Sequence, residues 1–403
     1  MELFWLEHKK LWRKKIVKIC VLLCFVYCVI FGSILSFQWF CFGSSDDYTS
    51  AFGNNFDGYT VIKDSQEYAL SFGGELTDET LQQIVSDYQQ MEADGMGEEL
   101  EKTDWQIVNS WLGTLYPELR DTSNYKTMIS YVDPDKLTGF YERRQQVLDE
   151  FLEVSGQVGA EKEFLHQIER KVEKPFRYEW VEGWSTLLGS MVADLGVVMA
   201  LFLGIVLSSL FAGEWHDNTS TLVLTTRNGW GKIALAKILT GLAFTVELFA
   251  LLAVSNVISQ LFFMGTAGWN MPIQNIKLIA VAPMNMLQAE IYEYAFVLLG
   301  AIGFAGIVMF ISAAVKNNVL TLLLSLAVVY GPMMIAEYLP YEMQKALDLI
   351  PLVGSSTDIF RTNTFRIFGK LIWSPYLLIT IPVLIGILCM PFAIKSWSRR
   401  MKA

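Results

Sequence analysis

The sequence predicts an all-α integral membrane protein with six transmembrane helices, both termini in the cytoplasm, and a mostly helical extracellular domain between the first two helices. Composition is the first observation: 53% of the 403 residues are hydrophobic, 18% are charged, and the mean hydropathy is +0.35. A soluble protein carries about 25% charged residues. The second observation is six uncharged runs, each near the length of about 20 residues that spans a membrane. The runs cover residues 19–45, 195–213, 248–276, 294–315, 317–336 and 371–394.

The distribution of charge orients the predicted helices. We predict spans at residues 19–42, 187–211, 236–264, 292–315, 318–338 and 372–394. The segments on the side of both termini carry 14 basic and 4 acidic residues, whereas those on the other side carry 17 basic and 35 acidic. The positive-inside rule therefore places both termini in the cytoplasm. The pI of 5.0 sums two unlike halves and gives no indication of a nucleic-acid partner.

Residues 1–18 predict an amphipathic helix lying at the inner membrane surface. Trp5 and Trp12 are seven residues apart, and Lys14 and Lys15 belong to a basic group around them. Aromatic rings favour the headgroup level and basic side chains favour anionic lipid. A plain topology signal would explain the charge but not the paired tryptophans.

Residues 43–183 predict a compact, mostly helical extracellular domain with 29 acidic and 12 basic residues. Apolar side chains recur there at helical spacing, which indicates faces turned to a core. Four such stripes are Leu81, Ile84, Val85, Tyr88; Ile107, Val108, Trp111, Leu112, Leu115; Leu137, Phe140, Tyr141, Leu148, Phe151, Leu152; and Phe164, Leu165, Ile168, Val172. No cysteine lies between residues 42 and 388, so the domain has no disulfide, which suits a Gram-positive cell surface or an anaerobe better than a eukaryotic extracellular domain.

Residues 339–370 predict an external segment that dips back toward the membrane before the last span. Leu339, Met343, Leu347 and Ile350 indicate one short amphipathic helix, and Pro351 ends it. Irregular backbone at that depth is tolerated only when it packs against protein. Residues 395–403 form a short basic cytoplasmic tail.

Motifs for catalysis or metal binding are missing from the sequence. The three histidines are far apart, no cluster has zinc spacing, and neither a phosphate-binding loop nor a hydrolase motif is present. We therefore expect no catalytic residue, metal or cofactor on this chain. Asp194 and Glu247 lie within predicted spans, where ionisable groups are functional candidates. At 1.5 Å of rise per residue, both acids fall in the extracellular half of two consecutive helices. Three roles stay open for them: lining a polar route through the membrane, remaining as neutral carboxyls, or hydrogen bonding to a neighbouring helix.

The connection between the second and third spans, residues 212–235, is the most patterned polar segment. Its notable residues are Phe211, Glu214, Asn218, Thr219, Leu222, Leu224, Arg227, Lys232 and Lys237. In this order they resemble the first cytoplasmic loop of permease subunits of type-2 ABC transporters. Asn218 stands where that family usually has glycine, and Thr225–Thr226 stands where proline is frequent. The plan of surface helix, six spans, short second inner turn and re-entrant segment is similar too, but residues 43–183 are not clearly covered.

The resemblance implies the permease subunit of an exporter in a bacterial plasma membrane. The first inner loop would form the coupling helix that docks on a separate ATPase subunit, which holds ATP and Mg²⁺. Two permeases would act with two ATPases, and the N-terminal helix would brace the contact. The large predicted extracellular domain is similar in plan to those of Gram-positive exporters of amphipathic or antimicrobial peptides. This analogy does not identify the substrate. Topology accounts for Arg227, Lys232 and Lys237, whereas Glu214 and Asn218–Thr219 indicate docking.

Two other functions stay open at the level of sequence. A membrane sensor or immunity protein would use the acidic domain as receptor, but the inner segments are too short for an output domain. An ion-coupled secondary transporter would use Asp194 and Glu247, but the repeated halves frequent in such carriers are not visible.

Overall fold

The computed structural model describes residues 2–30, 66, 73–96, 105–121, 126–188, 192–216, 231–354, 360 and 362–399. This part of the chain is mostly helical. Its α-helices are α1 (Glu2–Arg13), α2 (Lys15–Val29), α3 (Asp78–Met91), α4 (Trp105–Leu115), α5 (Phe140–Val154), α6 (Ala160–Glu169), α7 (Glu182–Thr186), α8 (Val192–His216), α9 (Lys232–Met264), α10 (Met286–Ala314), α11 (Asn318–Ile335), α12 (Tyr341–Leu347) and α13 (Ser374–Arg399). Two small antiparallel sheets pair β1 (Gly74–Glu75) with β2 (Arg177–Tyr178) and β3 (Thr364–Ile367) with β4 (Lys370–Trp373).

Five helices are long and apolar enough to span a membrane. They cover Leu195–Trp215, Lys232–Met264, Met286–Ala314, Asn318–Tyr338 and Ser374–Ser398. Helix α2 covers the first part of the predicted span 19–42, and residues 31–42 lie outside the described residues. This first span, which would bring the number of spans from five to six, therefore stays a prediction. We call the bundle end that bears residues 73–188 the domain end, and the end where α8 meets α1 the far end.

Helix α10 is the centre of the bundle and contacts α8, α9, α11 and α13. Glycines let α13 approach it closely. A Cβ at Gly303 would overlap the carbonyl of Pro382, and one at Gly306 would overlap the backbone of Gly386. Small residues at the contact of two membrane helices permit this dense packing, on which their association depends because lipid is as apolar as the side chains.

Two helices begin elsewhere than the predicted spans, each for a local reason. Helix α10 begins at Met286, six residues before the predicted span at 292, because Asn285 and Gln288 form a reciprocal capping box that satisfies free amides at its start. No continuous helix begins at 187, the predicted start of the second span. Residues Glu182–Thr186 form a separate short helix, Leu187 and Leu188 are buried in the core at the domain end, and α8 begins at Val192.

Residues 73–188 form a helical domain whose core follows the predicted stripes. Most stripe residues are buried, including all four of the first stripe, whereas Phe151 is exposed. The loop 265–285 completes this core: Trp111 Nε1 donates to the Asn275 carbonyl at 3.0 Å, and Arg144 Nε donates to the Leu278 carbonyl at 2.7 Å. Domain and bundle are thus continuous through the end of α9, since Met264 lies in the same core.

The segment after α11 enters the bundle and returns as a hairpin that the sequence did not indicate. Helix α12 matches the predicted short helix, and Leu352 then reaches into the helix core, contacting Gly300 near the middle of α10. Leu352 has a φ of 63°, the left-handed conformation of a tight turn. The hairpin β3–β4 follows and contacts the domain, where Arg366 pairs with Glu161 at 2.5 Å.

Candidate functional site

Four charged side chains form a cluster at the far end of the bundle, in which Glu214 and Lys237 are buried and Lys10 is half exposed. The carboxylate of Glu214, near the end of α8, accepts hydrogen bonds from Lys10 Nζ at 2.6 Å and Lys237 Nζ at 2.9 Å. Lys237 Nζ also donates to Glu7 at 2.8 Å. Glu214 is 4% exposed and Lys237 is 1% exposed. We call Glu7, Lys10, Glu214 and Lys237 the far-end charge cluster.

The far-end charge cluster joins three helices that are distant in sequence: α1, α8 and α9. Its two acids and two bases balance in formal charge, which is the condition under which ionised groups are retained away from water. Removing one partner of such a buried pair leaves an uncompensated charge and costs about 3–5 kcal/mol. The N-terminal helix is therefore fixed to the bundle by specific ion pairs as well as by its apolar face, on which Leu11 is buried.

The end of α8 is also held from its opposite side. The hydroxyl of Ser312 on α10 accepts from the amides of Phe211 and Ala212 at 3.1 Å and donates to the Ser208 carbonyl at 2.7 Å. Phe211 is fully buried, and its ring meets Trp397 of α13 edge-on with 5.5 Å between centroids. The last turns of α8 are thus fixed between α1, α9, α10 and α13.

These contacts place two coupling candidates inside the chain. Phe211 and Glu214 both face its interior, and their role in coupling to an ATPase stays a prediction. The assignment of Lys237 to topology alone is corrected, because its ammonium is a buried partner of Glu214. The remaining coupling candidates, Asn218, Thr219, Leu222, Leu224 and Arg227, lie in residues 217–230, outside the described residues.

The N-terminal helix carries the predicted surface residues on two different faces. Trp5 is 62% exposed, whereas Trp12 packs against Phe244 of α9 with 5.8 Å between ring centroids. Lys14 Nζ donates to the Ser209 hydroxyl at 2.9 Å, and Lys15 is exposed. The two tryptophans do not act as an equivalent pair: one is exposed and the other docks α1 on the bundle.

Glu247 belongs to this same contact. Its carboxylate accepts from Trp12 Nε1 at 3.0 Å and lies 3.2 Å from His8 Nε2, and its side chain is 42% exposed. The N-terminal helix α1 therefore lies along residues 237–247 of α9, and the depth of Glu247 in the membrane stays a prediction. Asp194 is in the first turn of α8, and its side chain lies outside the described residues.

A second polar cluster, missed from the sequence, lies between α9 and α10 toward the domain end. Glu290 and Glu293 of α10 are buried, as are Asn256 and Gln260 of α9. Asn256 Nδ2 donates to the hydroxyl of Tyr294 at 3.1 Å, which puts these helical turns side by side. The sequence does contain a signal for this cluster: Asn285 and Gln288 have the spacing of a helix cap, and a helix that starts there includes both acids. The predicted span from 292 left Glu290 in the preceding loop and Glu293 at the edge of the span, so neither was singled out.

Among the described residues, no group of three or more His, Cys, Asp or Glu side chains converges in a way that could hold a metal ion. Comparisons of the chain with protein-family models, with curated proteins and with solved structures found no match.

Proposed function

We propose that this chain is the permease subunit of an ATP-driven exporter of the type-2 ABC class, acting with a separate ATPase subunit and a second permease. The far-end charge cluster carries the proposal. It ties α1 to the two helices, α8 and α9, that flank the loop 217–230, and that loop holds the residues resembling a coupling helix. A force applied to the loop would therefore move α8, α9 and the N-terminal helix together.

The contacts of α8 indicate how such a force would spread. Ser312 bonds the end of α8 to α10, and α10 packs on α13 through Gly303 and Gly306. Packed interfaces of this kind shift between discrete arrangements and do not deform continuously, so a small displacement at one end reorients whole helices. In alternating access, this displacement would open a path between helices at the domain end. Amphipathic peptides or other amphiphiles are the proposed cargo, by the analogy of plan alone.

Co-expression with the ATPase encoded by a neighbouring gene tests the proposal. We expect a stable complex in the bacterial plasma membrane fraction whose ATP hydrolysis depends on this chain. Purification of this chain as an active transporter driven by an ion gradient, without an ATPase, would contradict it.

Coupling is tested in the loop and not at Glu214, since a change at Glu214 disrupts the interior of the chain. The double substitution Asn218→Lys and Thr219→Lys is expected to weaken the complex or separate ATP hydrolysis from transport. Lys232→Glu, at the exposed start of α9, changes a charge that topology alone accounts for and is expected to retain coupling. Equal losses in both variants would argue against a specific docking role for the loop.

A further inference from the structure

The buried acids of α10 have no compensating partner in the described part of the chain. All four carboxylate oxygens of Glu290 and Glu293 are buried; the phenol of Tyr294 is a hydrogen-bonding neighbour of Glu290, and no described side chain gives either carboxylate a positive partner. The two residues are three apart on one helix, so their side chains are neighbours. Two adjacent carboxylates in a low-dielectric interior are costly unless a positive charge or a proton accompanies them.

A second observation comes from the facing helix. Asn256 is 2% exposed and Gln260 is 1% exposed, and the amide oxygen of Asn256 and the amide nitrogen of Gln260 have no hydrogen-bond partner among the described residues. The other end of the Asn256 amide donates to Tyr294, which lies beside Glu290 on the next turn. The orphaned amides of α9 therefore belong to the same buried interface as the two acids.

The chemistry of these groups selects a ligand class. Two carboxylates, an amide oxygen and a phenol oxygen are hard oxygen donors, the kind that alkali-metal ions and protonated amines prefer. The described groups at the site include no basic side chain that would compete for the acids. Adjacent buried carboxylates share one proton, which leaves the pair with a single negative charge, so the site suits a single positive charge better than a divalent metal.

Depth along the helix makes the site reachable from the domain end. Glu290 and Glu293 are four and seven residues into α10, a rise of about 6 and 10 Å. A helix of 29 residues is about 43 Å long, more than the roughly 30 Å of a bilayer core, so both acids lie near one margin of the span.

We propose that Glu290, Glu293, Asn256 and Tyr294 form a binding site for a monovalent cation, either an alkali-metal ion or the ammonium group of an organic cation. The cation would enter and leave the site from the domain end, and a bound cation would stabilise the contact between α9 and α10. This inference does not depend on the ABC assignment, because it rests on the interior of a single chain.

Thermal unfolding of the full chain in phosphatidylcholine nanodiscs tests the site. Melting is compared in LiCl, NaCl, KCl and methylammonium chloride against choline chloride at equal ionic strength and pH. A ligand that binds only the folded protein raises Tm by mass action, and we expect at least one small cation to raise it by about 2 °C or more. Stabilisation by a metal ion identifies that source, and stabilisation by methylammonium alone identifies an organic ammonium; either supports the site.

The variants assign the effect to the two acids. The double substitution Glu290→Gln and Glu293→Gln keeps the side-chain shape and is expected to abolish the cation-dependent shift. Glu337→Gln, an exposed change at the end of α11, is expected to keep it. A Tm that is equal in all chlorides, or a cation shift that survives the double substitution, overturns the proposal. A Tm that responds at this site to pH but to no cation also overturns it and assigns a shared proton instead.

Discussion

At the scale of single residues, the far-end charge cluster is the feature in which individual side chains matter most to stability. Glu214 and Lys237 are buried partners, and each would keep only a less buried partner, Lys10 or Glu7, without the other. The chain keeps charge in the interior at this point because three helices must meet in one register. Apolar side chains alone would hold these helices together but would specify that register less strictly.

Lys237→Met is expected to lower the free energy of unfolding by about 3–5 kcal/mol, since it leaves Glu214 and Glu7 short of a partner. The measurement is denaturant or thermal unfolding in detergent. Lys232→Met, one and a half turns earlier and exposed, is the matched control and is expected to change stability by less than about 0.5 kcal/mol. Adding Glu214→Gln to Lys237→Met is expected to recover part of the loss, so additive losses would contradict the pairing.

Glu169 makes the stability of the 73–188 domain depend on pH. Burial alone would raise the pKa of this carboxyl, but hydrogen bonds from Lys174 and Arg144 outweigh burial and hold its pKa below the usual value. A depressed folded pKa gives stability that is complete above the unfolded pKa of about 4.3 and is lost as pH falls through the folded value.

We therefore expect domain stability to fall on acidification below about pH 4.3, with part of that slope removed by Glu169→Gln. Hydrogen exchange of amides in α5 and α6, measured on the full chain against pH, is the readout. Glu163→Gln, an exposed acid on the same helix as Glu169, is the control and is expected to keep the slope. An unchanged slope in Glu169→Gln would exclude Glu169 as its source.

At the scale of elements, the contact of α10 with α13 depends on residues without side chains. Gly306→Ala is expected to destabilise the chain by about 2 kcal/mol or more, because the new Cβ meets the backbone of Gly386 and no flexible side chain can yield. Gly331→Ala in α11 has open space around its Cβ, and alanine is the better helix former there. We expect that control to be neutral or slightly stabilising in the same unfolding assay; equal losses would contradict the close contact.

The helices and strands show which parts of the fold could be predicted from the sequence and which could not. The apolar stripes of residues 73–188 and the existence of the five described spans could be predicted, because burial imposes helical periodicity and long uncharged runs locally. The start of α10 was missed because hydropathy indicates which residues are apolar enough for the membrane. It does not indicate where the helical hydrogen bonding begins. The hairpin β3–β4 was missed because its strands are short and gain their order from contact with the domain.

At the scale of the whole molecule, orientation in the membrane remains a prediction from charge alone. In a chain whose five native cysteines are replaced by alanine, Val158→Cys in the domain is expected to react with an impermeant maleimide in intact cells. Lys232→Cys is expected to react only after permeabilisation, because it lies at the far end. Both positions are exposed, so burial does not explain a difference, and the reverse pattern would invert the topology.

The sequence by itself determined that this is a membrane protein with helical spans, a helical acidic domain and a polar loop between α8 and α9. Those properties follow from composition and periodicity within 20 to 30 neighbouring residues. Only the tertiary structure decided the partners of the charged groups. Glu214 meets Lys10 across 204 positions, Trp12 meets Glu247 across 235, and Asn256 of α9 meets Tyr294 of α10. Which helices become neighbours is a global packing outcome, so the internal partners of Glu214 and the buried polar groups between α9 and α10 could not be read from local sequence.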